Sequence, residues 1–375
     1  LNNMSRNSMQ VGNPHLIRQF NQDIIKNLII SHGPITKPEI ARLTRLSIPT
    51  VNKIVDRLEE DGLVCRDVIS EGGLGRKAQS YSINKDAARA VVVFCLNEQF
   101  QSCVTNVIGE KIEEKFTPIP HGSTIDTFRS LTDLIDDYLA RFGKNAIKAI
   151  GVGVPGVVSE DGGISSIPMI PSWENFSLKE ALEKRYHIPA FIENDVKLMA
   201  VGYFYSELIP AHDSMVFIYA GEDGIGAGTI LNQKLLRGFS SFAGELGYMS
   251  LSESDRDDEP AGSAGSLEIQ FLPLSRKMAD DSADENTSRI YYKMLTRIIA
   301  NFVSMINPEV IAIRSPGITV AEASIIGKML HNYIPGNNLP KLIAIETDQY
   351  GLIGAIHFCL ANMSSNLTLV NQVGV

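Results

Sequence analysis

Apolar positions recur at helical spacing at the front of the chain and in strand-like runs behind it. In "HLIRQFNQDIIKNLIISH" (15–32), Ile17, Phe20, Ile24 and Leu28 share one helical face, and Gly33 with Pro34 ends the pattern. Thr36 followed three residues later by Glu39 predicts a capping box, which satisfies free N–H groups at a helix start. That second helix is short and ends near Arg45. A third opens at "SIPTVNKIVDRLEEDG", where Ser47 can cap and Pro49 fits a first turn. Val51, Ile54, Val55 and Leu58 form its buried stripe, and Gly62 stops it. "LVCRDVIS" (63–70) then alternates like a strand, "EGGLGRKAQ" is a glycine-rich turn, and "SYSIN" returns.

Three helices with a tight turn between the second and third, followed by a hairpin, read as a winged helix-turn-helix over residues 15–84. In such a module the start of the third helix enters the major groove. Ser47, Thr50, Asn52 and Lys53 are the candidates for base contact, and Arg76 and Lys77 on the wing would reach phosphates or the minor groove. A small bundle for protein contacts is the competing reading. The order of capping box, short second helix and basic glycine-rich hairpin favours double-stranded DNA.

From Ala88 onward, β-type runs alternate with helical ones, as in an α/β fold. "ARAVVVFCL", "CVTNVIG" and "EKIEEKFTPI" read as a meander and "IDTFRSLTDLIDDYLARFG" as a helix. "IKAIGVGVPGVV" reads as a buried strand, and "SMVFIYAGEDGIGAGTILNQKLLRG" as strand, glycine turn and strand. "SRIYYKMLTRIIANFVSMIN" is a long helix stopped by Pro308, and the strand "EVIAIRS" follows it.

Charge sharpens this division. Residues 1–84 hold 11 Lys and Arg against 8 Asp and Glu, a net of +3, while the remainder nets −12. Only the front is suited to an anionic partner. Forty-four per cent hydrophobic and 21% charged residues describe a globular chain of two or three domains. No run of about 18 uncharged apolar residues exists to span a membrane, and residues 1–14 form a polar tail unlike a secretory signal, so a cytoplasmic protein is expected. Cys65, Cys95, Cys103 and Cys359 are scattered without a CxxC pair, which indicates neither a zinc cluster nor a disulfide framework.

"GVGVPGVV" (151–158), "ENDVKLMA" (193–200), "GIGAGTILNQKLLRG" (224–238) and "GELGYMSL" (244–251) follow the order and spacing of the ROK family of repressors and sugar kinases. With the "GGLGRK" wing ahead of them, the chain resembles the repressor branch of that family over essentially its whole length. The resemblance implies an α/β fold in which residues 88–375 form a two-lobed actin-like domain, of the sugar-kinase and ribonuclease-H-like type. It also implies a sugar cleft between the lobes and a homodimer or homotetramer.

The same resemblance implies ligand contacts at Asn194, Asp195 and Glu245, at Glu268 more weakly, and at the backbone of Gly153 to Gly156. An adjacent amide and carboxylate suit the paired donors and acceptors of a polyol; capping of the following helix is the plainer role for Asn194 or Asp195. Tyr248 stands where the family has a histidine that contacts sugar and ligates zinc. Met169 stands where it has a sugar-binding Asn. "SESDRDDEPAGSAGS" (252–266), where the family's cysteine cluster belongs, contains no Cys or His, so no metal is expected. Trp173, the single tryptophan, lines the cleft mouth or fills core between the lobes.

Three nucleotide contacts depart from the family pattern. "VVVFCLNEQFQ" (91–101) lacks the Asp, Gly pair and Thr of a phosphate turn, Glu222-Asp223-Gly224 replaces a Gly-Thr-Gly-like turn, and "RSPG" (314–317) replaces a Gly-Gly against adenine. Carboxylates in a phosphate turn repel their ligand. The expectation is a transcriptional regulator of carbohydrate metabolism, without cofactor or kinase activity, that responds to a neutral sugar or derivative. A regulator that is still a kinase, and one governed by a protein partner with a vestigial cleft, are the alternatives.

Overall fold

In the computed structural model, the described residues are 14–68, 79–96, 98–120, 122–165, 170, 173–209, 211–251 and 265–370, and side chains are not described at 14–20, 23 or 364–370. Two compact units emerge. One comprises residues 1–89 with 106–110 and 364–375, and the other 90–105 with 111–363.

In the first unit, helices α1 (Pro14–His32), α2 (Lys37–Thr44) and α3 (Ile48–Glu60) stand with a three-stranded sheet. Its order is β1 (Ile35–Thr36), β3 (Gln79–Ile83), β2 (Val64–Val68), with both pairings antiparallel. The capping box forms as read: Thr36 Oγ1 accepts from the Glu39 N–H, and Glu39 accepts from the Thr36 N–H at 3.0 Å. Val51, Ile54, Val55 and Leu58 are all buried, beside Ile25, Ile29, Ile40 and Tyr81. On α1 the buried face is therefore Ile25 and Ile29; Ile24 and Leu28 are half-buried. The apolar run Ile24-Ile25 and Leu28-Ile29-Ile30 made two adjacent stripes equally eligible. The side chains of Ile17 and Phe20 lie outside the described residues.

The second unit is built on two five-stranded sheets. The first runs β10 (Ala190–Asn194), β7 (Ile147–Val154), β4 (Arg89–Leu96), β5 (Gln99–Asn106), β6 (Lys111–Pro118). The second runs β13 (Lys234–Leu235), β12 (Ile225–Leu231), β11 (Met215–Ala220), β14 (Val310–Arg314), β15 (Lys341–Ala344). The run 147–158 is broken where the sequence suggested continuity: β7 ends at Val154, and after Pro155-Gly156 the short strand β8 (Val157–Val158) pairs with β9 (Ile164–Ser165). Pro155 cannot donate to a ladder, and Gly156 takes φ +94°, so the chain turns there.

Among the helices, α4 (Thr124–Phe142) and α5 (Leu178–Tyr186) pack on the first sheet, and α7 (Ser266–Ala279), α8 (Glu285–Ile306) and α9 (Val320–Leu330) on the second. Helices α6 (Asp195–Tyr203) and α10 (Tyr350–Val370) meet through glycine. A Cβ at Gly354 would stand 1.8 Å from the Leu198 carbonyl oxygen, and one at Gly202 would stand 2.0 Å from that of Tyr350. Trp173 belongs to the core of the first sheet. It is fully buried, its ring 6.3 Å from that of Phe100.

Candidate functional site

Helix α6 starts directly where β10 ends, beside the break at Pro155-Gly156. The start is fixed by Asn194, which acts as N-cap: its Oδ1 accepts from the Lys197 N–H at 2.9 Å. Its Nδ2 donates to the Gly156 carbonyl at 2.9 Å and to Asp195 Oδ1 at 3.0 Å. The amide that resembles a sugar contact is thus committed to structure. It is buried, holds the Gly156 turn to the helix and sets the direction of Asp195.

Asp195 Oδ1 also accepts from the Val196 N–H at 2.7 Å, and among the described residues no hydrogen bond reaches Oδ2. Burial pushes the carboxyl up to about 7, helped by the like charges of Asp223 and Glu245. Glu245 is raised by burial, and the Glu268 charge adds to it while Lys197 opposes it. Burial also raises Glu268, with Asp223 contributing, although the Gly265 N–H draws it back.

One cavity gathers these groups. Pro155, Gly156, Asn194, Asp195, Asp223, Glu245, Tyr248 and Glu268 all line it. Gly153 does not. It lies inside β7 with its face against Phe94 and Leu198, each 2.6 Å from where a Cβ would stand. The family-like glycine there serves packing of strand on helix, not ligand approach. Gly244, at φ +95°, is forced as well, since a Cβ would fall 1.9 Å from the Ala227 carbonyl oxygen. This contact sets the turn from which Glu245 enters the cavity.

The glycine turn 221–224 is closed on itself. The Gly221 N–H donates to the Gly224 carbonyl at 2.9 Å, and Tyr219 Oη donates to Asp223 Oδ1 at 3.0 Å. Arg276 Nε donates to the Glu222 carbonyl at 3.0 Å. Gly228 is consumed by packing, with Ala200 Cβ 2.4 Å from the position a Cβ would take. At the stretch 314–317, Arg314 makes a two-pronged ion pair with Asp348 at 2.7 and 3.1 Å. Ser315, buried, donates to the Ala220 carbonyl at 2.9 Å.

Sequence reasoning missed Lys197, fully buried two residues after Asp195. Its Nζ donates to the Ser241 carbonyl, and burial lowers its pKa against the pull of Glu193 and Glu245. The signal was a lysine inside the apolar run "VKLMAV". Glu193, also buried, pairs with Arg237 at 2.7 Å. Together these contacts anchor the 237–244 loop beneath the cavity.

In the first unit, Ser47 Oγ accepts from the Thr50 N–H at 3.4 Å and lies 2.8 Å from Thr50 Oγ1. Ser47 and Lys53 are exposed, and Thr50 and Asn52 half-exposed, all at the start of α3. Lys37 pairs with Asp56 of that helix, and Arg66 of β2 with its Glu59 at 2.7 Å. Arg76, Lys77 and Met169 lie outside the described residues, as does 252–264. Among the described residues, no group of three or more His, Cys, Asp or Glu could hold a metal ion, and no helix is long and apolar enough to cross a membrane.

Comparison with known proteins agrees with this division. Residues 97–268 match the ROK family, and residues 19–64 match a winged helix-turn-helix DNA-binding family. The xylose repressor of Caldicellulosiruptor bescii is 27% identical over 69% of this chain and 65% of its own length. The DNA-binding transcriptional dual regulator NagC of Escherichia coli is 26% identical over 64% of this chain and 60% of its own. This chain therefore aligns with somewhat less than two thirds of either relative. A solved ROK family transcriptional regulator, described as a homolog of the E. coli MLC protein, superposes with a TM-score of 0.75. It is 19% identical, with 94% of this chain and 98% of that one covered. Residues 97–268 thus form a ROK family domain, and a winged helix-turn-helix DNA-binding module at residues 19–64 precedes it.

Proposed function

We propose that this protein is a transcriptional regulator, a repressor of sugar metabolism genes, whose DNA affinity is set by a neutral sugar or derivative in the Asp195 cavity. The carrying observation is the pairing of two features in one chain. The capped start of α3 exposes Ser47 and Lys53, and a separate cavity presents acceptors at Asp195 Oδ2 and Glu245. Hydroxyl groups of a polyol donate to such carboxylates, so a sugar suits this lining. The name of the xylose repressor relative supports the sugar class. A homodimer or homotetramer fits a module that reads paired half-sites.

Catalysis is the second reading, favoured by one observation: a carboxyl near 7 at Asp195 suits a general base for a sugar hydroxyl. The self-closed turn at 221–224 and the Arg314–Asp348 pair weigh against nucleotide at the same site. The test is a thermal-shift screen of the full chain against monosaccharides, their phosphates and ATP with magnesium, followed by DNA binding with each hit. Stabilisation by a neutral sugar with a change in DNA affinity is expected. Stabilisation by ATP together with sugar phosphorylation would replace this reading with the kinase.

A further inference from the structure

The recognition helix opens with apolar surface. Ile48 and Leu43 are each 46% exposed, on either side of the turn between α2 and α3, and Pro49 is exposed beside Ile48. A globular unit with its own core of Ile25, Ile29, Val51, Val55 and Leu58 has no internal use for them. The two hydroxyls of this turn, at Ser47 and Thr50, are engaged with one another, so they are poorly placed to read base edges by hydrogen bonding. Arg42, Arg45 and Lys53, all exposed, lie within five residues of Leu43 or Ile48 along the chain. Apolar tips within a basic rim match a major-groove edge that carries a methyl group between phosphates, and thymine is the base that has one there.

We propose that Ile48, supported by Leu43, reads thymine 5-methyl groups, and that this contact sets the operator preference of the protein. The inference rests on the DNA-binding reading above. Ile48 is the first helical residue of α3, the part of a recognition helix that meets base edges. Covering one methyl group is worth a factor of about four in affinity, equivalent to ~0.8 kcal/mol.

The experiment uses the full chain and a randomised duplex library at fixed salt. The enriched duplex is then remade with deoxyuridine at each thymine in turn, which removes only the methyl. Uracil at one position per half-site should weaken wild-type binding about fourfold. The same change should have no effect on Ile48→Ser, while Ile48→Val should keep most of the discrimination. Equal weakening in wild type and Ile48→Ser, or none in either, overturns the proposal while leaving DNA binding intact. If Ile48→Ser lowers the oligomeric mass with DNA affinity unchanged, the apolar pair is a protein contact and the proposal fails. Failure of wild type to enrich any duplex sinks the DNA-binding reading itself.

Discussion

Tyr219 and Asp223 are joined across a single tight turn, the phenol donating to the carboxylate at 3.0 Å. A Cβ at the intervening Gly221 would stand 2.4 Å from the Tyr219 oxygen, so this glycine makes space for the ring.

ATP with magnesium should therefore give no heat in titration calorimetry. A carboxylate about 4 Å from a phosphate oxygen costs roughly 4 kcal/mol per charge pair at an effective dielectric near 20. Asp223 must also give up its tyrosine to let phosphate in. Millimolar or tighter affinity would show that the turn opens.

Asp195 should make stability depend on pH. Its folded pKa, about 7, lies above the ~3.9 of an unfolded chain, so the folded state binds the extra proton between those values. The stabilisation is complete below about pH 4 and is lost as pH rises through 7. Asp195→Asn removes this dependence, and its melting temperature should gain on the wild type from pH 5 to pH 8. Parallel melting profiles of the two proteins over that range would contradict the burial of this carboxyl.

Gly354→Ala and Gly327→Ala should move stability in opposite directions. The first places a methyl 1.8 Å from the Leu198 carbonyl at the α6–α10 crossing and should cost about 1–3 kcal/mol or more. The second, inside α9, meets only Leu342 Cδ1 at 3.7 Å and should gain about 0.5–1 kcal/mol from helix propensity. Denaturant midpoints decide this. A neutral Gly354→Ala would mean that the two helices slide freely.

Much of this is legible in the amino-acid sequence. The winged module was readable because each of its signals is local: Thr36 with Glu39, Ser47 with Pro49, the Val51–Leu58 stripe. The order of the ROK-like segments predicted the cavity lining at Gly156, Asn194, Asp195, Glu245, Tyr248 and Glu268. What failed was the assignment of purpose to residue types that serve two. Gly153 looks like a ligand-approach glycine, yet it packs β7 against Phe94 and the α6 side chain of Leu198, a tertiary fact absent from any short window. Asn194 resembles a sugar contact and also caps α6, so its residue type alone does not fix its role. Lys197 stood out only as a lysine in an apolar run, and its partners Ser241 and Glu245 lie more than forty residues away.

Purified protein treated with chelator should carry no stoichiometric zinc. Residues 244–275 contain neither cysteine nor histidine, so thiolate and imidazole, the ligands that give zinc its tight tetrahedral sites, are missing from that stretch. Metal analysis after dialysis checks this. One zinc per chain surviving chelation would place a site elsewhere.

The cavity should also prefer a neutral sugar to the same sugar phosphorylated. Asp195, Asp223, Glu245 and Glu268 share its lining, and the nearest buried cation, Lys197, is engaged by the Ser241 carbonyl. Each carboxylate repels a phosphate dianion; at Asp195, Glu245 and Glu268 burial raises the proton affinity, and neighbouring carboxylates add to it. A hydroxyl in place of the phosphate donates to Asp195 Oδ2 or Glu245 without that cost. Asp195→Ala should abolish the ligand-induced change in DNA affinity, and it should leave ligand-free DNA binding intact, because Ser47–Lys53 belong to a separately packed unit with its own core. Binding isotherms for the sugar and its phosphate, run beside DNA titrations of both proteins, carry the test. A phosphate that binds tighter than its parent sugar refutes the electrostatic argument. An Asp195→Ala protein that still responds fully moves the effector site out of this cavity.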